Sequence, residues 1–137
     1  MRNRFTLLNS LLILSLLSGC GSPADPLQRQ EVTGEVSLEG SPIAEGTIEF
    51  SPVAEGTGSG AMIEDGKFTI PAQKGLPPGE YIVRISASNP DAEQVRLPGE
   101  SNQIAAELIP PEFNVDSDVK FTVTLDGDNV FTLDIGS

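Results

Sequence analysis

From Glu31 onward, apolar side chains return at every second position, and that period suits a β-strand and little else. Val32, Gly34, Val36 and Leu38 alternate with Thr33, Glu35, Ser37 and Glu39. Ile48 and Phe50 alternate with Thr47, Glu49 and Ser51 before Pro52 closes the run. Ala61 and Ile63 lead into Asp65-Gly66, and Phe68 and Ile70 resume the pattern. Tyr81, Val83, Ile85 and Ala87 make the longest clean run, entered through Pro77-Pro78-Gly79. Val119, Phe121, Val123 and Leu125 follow, then Phe131, Leu133 and Ile135. The pattern predicts seven strands and no helix beyond a short turn within 102–108.

Turn chemistry agrees with this reading. Asp65-Gly66 sits between two alternating runs, where a type I′ hairpin needs positive φ at both central residues. Asp126-Gly127 is read the same way, as the turn of a C-terminal hairpin. Each strand has one apolar face and one face of Thr, Ser, Glu or Asp, and a sheet so patterned buries the apolar face against a second sheet. The expectation is an all-β sandwich. Its inward set is Val36, Leu38, Ile48, Phe50, Ile63, Phe68, Ile70, Tyr81, Val83, Ile85, Phe121, Val123, Leu125, Phe131 and Leu133.

Residues 1–19 follow other rules. Arg2 and Arg4 precede a mainly apolar run over 5–17, which spans about 20 Å as a helix against about 30 Å of bilayer hydrocarbon. That length fits the core of a signal peptide rather than a membrane span. Leu17-Ser18-Gly19-Cys20 comes next and resembles the bacterial lipobox. In that motif a peptidase cuts between the residues here numbered Gly19 and Cys20, and the cysteine thiol carries the lipid. An ordinary secretory signal has no need of a cysteine there, and Cys20 is the chain's single cysteine. The expected organisation is a lipoprotein signal over 1–19, Cys20 and a flexible tether over 20–30, and a body over 31–137. Such a chain is attached to a membrane through its N-terminal lipid and faces the periplasm or the exterior.

Composition removes several functions. The chain has 137 residues with eight Lys+Arg against twenty Asp+Glu, a formal charge of −12. That is the wrong sign for gripping nucleic-acid phosphates. Histidine is absent, and with it the usual neutral-pH base and the commonest metal ligand. One cysteine permits no intramolecular disulfide. No residue is assigned a catalytic role, and no cofactor motif is present. The body is expected to be monomeric.

The order of the pieces carries a resemblance. Thr33-Gly34-Glu35-Val36 leads to Glu39-Gly40-Ser41-Pro42-Ile43, and Gly46-Thr47-Ile48-Glu49-Phe50-Ser51-Pro52 follows. Then come Asp65-Gly66-Lys67-Phe68 and Gly75-Leu76-Pro77-Pro78-Gly79-Glu80-Tyr81-Ile82-Val83. Ile109-Pro110-Pro111-Glu112-Phe113-Asn114 with Ser117 completes the set. The series resembles the carboxypeptidase regulatory-like, transthyretin-like (prealbumin-like) domains, and is similar to the small lipoproteins of that type in planctomycete bacteria. The resemblance covers about 32–135 and implies a seven-strand Greek-key β-sandwich without catalytic activity.

Chemistry carried by similar architectures needs particular residues. Hydroxyisourate hydrolases of the transthyretin type use histidines and end in Tyr-Arg-Gly-Ser, whereas this chain ends Asp134-Ile135-Gly136-Ser137. Isopeptide-forming pilin domains need a lysine in the first strand, and 31–39 holds none. Lys120 and Asn129 are expected on neighbouring strands of one hairpin, where a crosslink would constrain little. Asp116 and Asp118, with Asp126 and Asp128, are weak Ca²⁺ candidates, although tight turns favour the same residues. Glycan stacking is poorly supplied, with one Tyr and no Trp. The remaining feature is the Pro-rich acidic crossover 89–117, a candidate partner loop whose charges are Asp91, Glu93, Glu100, Glu107 and Glu112. The leading expectation is a lipid-anchored, non-enzymatic cell-envelope domain that touches an envelope protein. The alternative is an extracytoplasmic binding module for Ca²⁺ or glycan.

Overall fold

The computed structural model describes residues 24–92, 95–96, 99 and 103–136. The signal segment, Gly19, Cys20, Glu93 and Glu100 lie outside the described residues. Those described form an all-β body. Its strands are β1 (Val32–Leu38), β2 (Ser41–Pro42), β3 (Glu45–Pro52), β4 (Ser59–Glu64), β5 (Lys67–Ile70), β6 (Gly79–Ser86), β7 (Val95–Arg96), β8 (Gln103–Ile104), β9 (Lys120–Val123) and β10 (Val130–Ile135). The seven runs of alternating residues correspond to the seven longer strands. β2, β7 and β8 are two-residue pieces that alternation cannot reveal.

The main ladder runs β10-β1-β5-β4-β3-β6-β9, with β2 paired to β1. All its pairings are antiparallel except β1 with β10, which is parallel from Thr33↔Val130 to Leu38↔Ile135. Between β4 and β5 the ladder narrows to the single pair Glu64↔Lys67. The sheet curls so that its two ends meet: Phe121 of β9 and Phe131 of β10 stand edge to face, 5.6 Å between ring centres.

The Asp65-Gly66 turn is as read, with φ of 50° and 77°. Glu39-Gly40 repeats it between β1 and β2, at 50° and 78°. Gly34 serves a different need. A Cβ there would lie 2.1 Å from the Phe131 carbonyl oxygen and 2.6 Å from the Phe68 ring, so a bare backbone lets β10 and Phe68 close on β1.

The expected C-terminal hairpin is corrected. β9 and β10 pair with different strands at opposite ends of the ladder. The cause is Asn129, which is buried in the connection. Its Oδ1 accepts the Thr124 N–H at 2.8 Å, and its Nδ2 donates to the carbonyls of Thr124 (3.0 Å) and Gly127 (3.3 Å). A side chain thus satisfies the groups a strand partner would have taken. The Asn129 carbonyl then accepts the Thr33 N–H at 3.1 Å and delivers the chain to β1. Lys120 and Asn129 are therefore not hairpin neighbours; Lys120 pairs with Glu80 at 2.9 Å on the surface.

Phe50 is fully buried, and the rings of Phe68, Phe121 and Phe131 surround it at 5.8–5.9 Å. Of the expected inward residues, Leu38, Phe121 and Leu133 are half-buried. Leu125 is a correction: β9 ends at Val123, so Leu125 falls in the Asn129-pinned connection and is 46% exposed. Val32, Ile43, Leu76, Ala87, Ile109 and Ile135 are buried in addition. Leu76 is held by Gln30. Gln30 and Leu76 exchange two backbone hydrogen bonds at 2.9 and 3.1 Å, so Gln30, read as tether, is joined to the body. Upstream, the Asp25 carboxylate accepts the N–H groups of Arg29 and Leu27, which with the Arg29 guanidinium lower its pKa.

Tyr81 lies in the core with its hydroxyl donating to the Pro77 carbonyl at 2.7 Å. Burial raises its pKa and keeps it a donor. Strand directions give the body two poles. One gathers the segment 24–30, the loops 53–58 and 71–78, and the connection 124–129. The other carries the turns at 39–40 and 65–66 and the crossover after β6.

The buried ring cluster generates the first prediction. Phe50→Ala should destabilise the fold by about 3–5 kcal/mol, whereas Leu125→Ala should change it by less than about 0.5 kcal/mol. Urea unfolding followed by circular dichroism checks both, and comparable losses would contradict the burial pattern.

Candidate functional site

The crossover 89–117 divides into two parts with different physics. Its return limb belongs to the body. Ser88 and Glu107 form a bridge, Leu108 N–H donates to the Ala87 carbonyl at 2.8 Å, and Ile109 is buried. Pro111–Phe113 make one turn of 3₁₀ helix, after which Ser117 is buried beside β6. The Ser117 hydroxyl donates to the Val83 carbonyl and accepts the Val119 N–H, so it completes the approach to β9. The outer limb holds the small β7–β8 ladder, Val95↔Ile104 and Arg96↔Gln103.

Glu107 is the member of the candidate partner loop that the structure reassigns. One of its carboxylate oxygens accepts the Ala87 N–H (2.8 Å) and the Ile109 N–H (3.0 Å), and the other accepts the Ser86 hydroxyl. The residue is exposed, but its carboxylate turns back on the chain and clamps the crossover to the end of β6. Partial burial alone would raise its pKa. The Ser86 hydroxyl and the N–H groups of Ala87, Ile109 and Leu108 outweigh that and hold it below the ordinary glutamate value. Asp91 and Glu112 are exposed, and the Asp91 N–H is taken by Asn89 Oδ1 at 2.9 Å.

The Ca²⁺ candidates do not converge. Asp116 and Asp118 precede β9 while Asp126 and Asp128 follow it, so the two pairs lie off opposite ends of that strand. Among the described residues, no three or more His, Cys, Asp or Glu side chains are grouped to hold a metal ion. Nor is any helix among them long and apolar enough to cross a membrane.

A concavity among the described residues lies at the pole of the crossover and was not foreseen from the sequence. It is an open groove of about 910 Å³, in the size range of ligand sites. Pro42, Ile43, Met62 and Leu108 give it apolar walls, and Glu45, Glu64 and Asp65 are among its lining residues. Met62 is 62% exposed. The signal for it in the sequence was Met62 itself, an apolar side chain on the polar phase of the Ala61-Ile63 alternation. The carboxylates gave no signal because their proximity depends on register: β3 and β4 set Glu45 directly opposite Glu64.

Comparison with protein-family models, with curated proteins and with solved structures found no match to this chain.

The Glu107 clamp has a pH signature. Because its pKa is lowered on folding, its contribution is present above the unfolded glutamate pKa of about 4.3 and is lost as pH falls through the lower folded value. Glu107→Gln should lower stability at neutral pH and flatten the acid limb of the stability profile. It should also speed hydrogen exchange at the Ala87 and Ile109 amides relative to Phe50. Unchanged exchange at both amides would remove the clamp.

Proposed function

We propose that this chain is a lipid-anchored, non-enzymatic domain of the cell envelope, acting structurally or by contact with an envelope protein. Its body is read as a seven-strand Greek-key sandwich of the transthyretin-like, carboxypeptidase regulatory-like kind. The observation that carries the proposal is Leu17-Ser18-Gly19-Cys20 after a short apolar run, with the chain's one cysteine at the lipid-acceptor position. The curled sheet of seven longer strands supports the fold reading, since β10 returns beside β1 after every other strand has been laid down.

Charge supports the arrangement. Cleavage before Cys20 removes Arg2 and Arg4 and no acid, taking the side-chain charge from −12 to −14. A body so acidic is repelled by anionic headgroups and stands off the membrane, facing the periplasm or the exterior. The pole bearing 24–30 is then the membrane-proximal one, since Gln30 joins the body there.

Mass spectrometry of the mature N-terminus tests the reading. The expected species begins at Cys20 and carries a diacylglyceryl group, and Cys20→Ser should leave unprocessed precursor or release the protein from membranes. A mature chain beginning downstream of Cys20, or one retaining residues 1–19, would overturn it.

A further inference from the structure

We propose that the groove at the crossover pole is a docking surface for a basic, extended protein segment carrying an apolar side chain between its cations. This deepens the protein-contact reading above by naming the surface and the chemistry of the partner, and it rests on that reading.

The charge argument comes from register. Glu45 and Glu64 are cross-strand partners, so their side chains leave the same face of the sheet directly opposite each other. Like charges in that position repel and weaken a ladder. Asp65 follows immediately and lines the same groove. Among the described side chains none of the three has an ion pair. Lys67 stands across the ladder from Glu64, but its ammonium is paired with Glu35, at 3.6 Å. All three carboxylates are exposed at the mouth of the groove, where an approaching cation can reach them. A cation supplied from outside is the complement that relieves this repulsion.

The shape argument comes from β4. One side of β4 is paired with β3 along its length, whereas on its other side, although β5 packs beside it, the ladder holds only the pair Glu64↔Lys67. A second hollow opens there between Ala61 and Phe68; it shares Met62 and Glu64 with the groove and is lined also by Lys67, beside which an apolar rather than a basic residue of the partner would sit. A strand-like segment lying along β4 would reach both hollows, with exposed Met62 as the apolar contact. A second copy of this chain is a poor occupant, because two mature chains of charge −14 repel. The position is also open to a partner. β3 runs from this pole to the opposite one, which places the groove about 25 Å from the end where 24–30 joins the body.

The test uses the full chain purified in detergent and a short fluorescent peptide of alternating lysine and leucine, read by anisotropy. Glu45→Gln/Glu64→Gln should weaken binding about tenfold and raise the melting temperature, since the change removes a repulsion. Glu31→Gln/Glu55→Gln removes the same charge at the other pole and should change binding less than about twofold. Replacing 91–103 with a Gly-Ser linker should leave binding intact. Equal losses for the two double variants would mean that net charge alone attracts the peptide, and would overturn the proposal. So would a lowered melting temperature for the groove pair, loss of binding with the linker, or equal binding of a glutamate-leucine peptide. The Cys20 measurement is independent, so failure of lipid anchoring and failure of the groove are told apart.

Discussion

Val32–Leu38 is held by two long neighbours of opposite sense: β10 runs parallel along one edge and β5 antiparallel along the other. Few strands of this body could accept both, and β1 can because Gly34 has no side chain where the Phe131 carbonyl and the Phe68 ring press in. The rings of Phe68 and Phe131 thereby reach Phe50 from the β1 side while Phe121 reaches it from β9. The curl of the sheet, the buried ring cluster and the meeting of its two ends all follow from that tight junction. Hydrogen bonds finish it: the Ser37 hydroxyl and the Gly40 N–H both reach Asp134 Oδ1, at 2.8 and 3.0 Å.

Alternation made most of the strands legible because each shows one face to the core and one to water. Asp65-Gly66 was legible because positive φ at two successive residues is a strong demand on residue type. Asp126-Gly127 looked identical and did something else. Gly127 is not among the positive-φ glycines, and Asn129 occupies the backbone groups that a hairpin would have paired. One buried amide side chain, invisible to a period-two reading, sends β10 to the opposite end of the ladder. Ile43, Leu76 and Ile109 escaped for a related reason. They sit in connections, and only partners distant in sequence make those connections part of the core.

The candidate site was legible in part. The crossover was singled out for its length and acidity, yet Glu107 turns back on the chain and binds backbone N–H groups that no local pattern reveals. The opposition of Glu45 and Glu64, nineteen positions apart in the chain, exists only once β3 and β4 are in register. Charge counted along a sequence says how acidic a surface is. Register decides which of those charges must face one another.

The parallel pairing of the first long strand with the last has a consequence for the order of events in the cell. Ser37 and Asp134, bonded side chain to side chain, are 97 residues apart. β1 therefore lacks one of its two neighbours until about a hundred further residues have been made, and contacts between such distant segments form slowly. A chain built this way stays open while it is being synthesised. If the chain is exported before it folds, as the proposed lipid anchoring requires, that delay is an asset: β10 emerges after every other strand of the sheet.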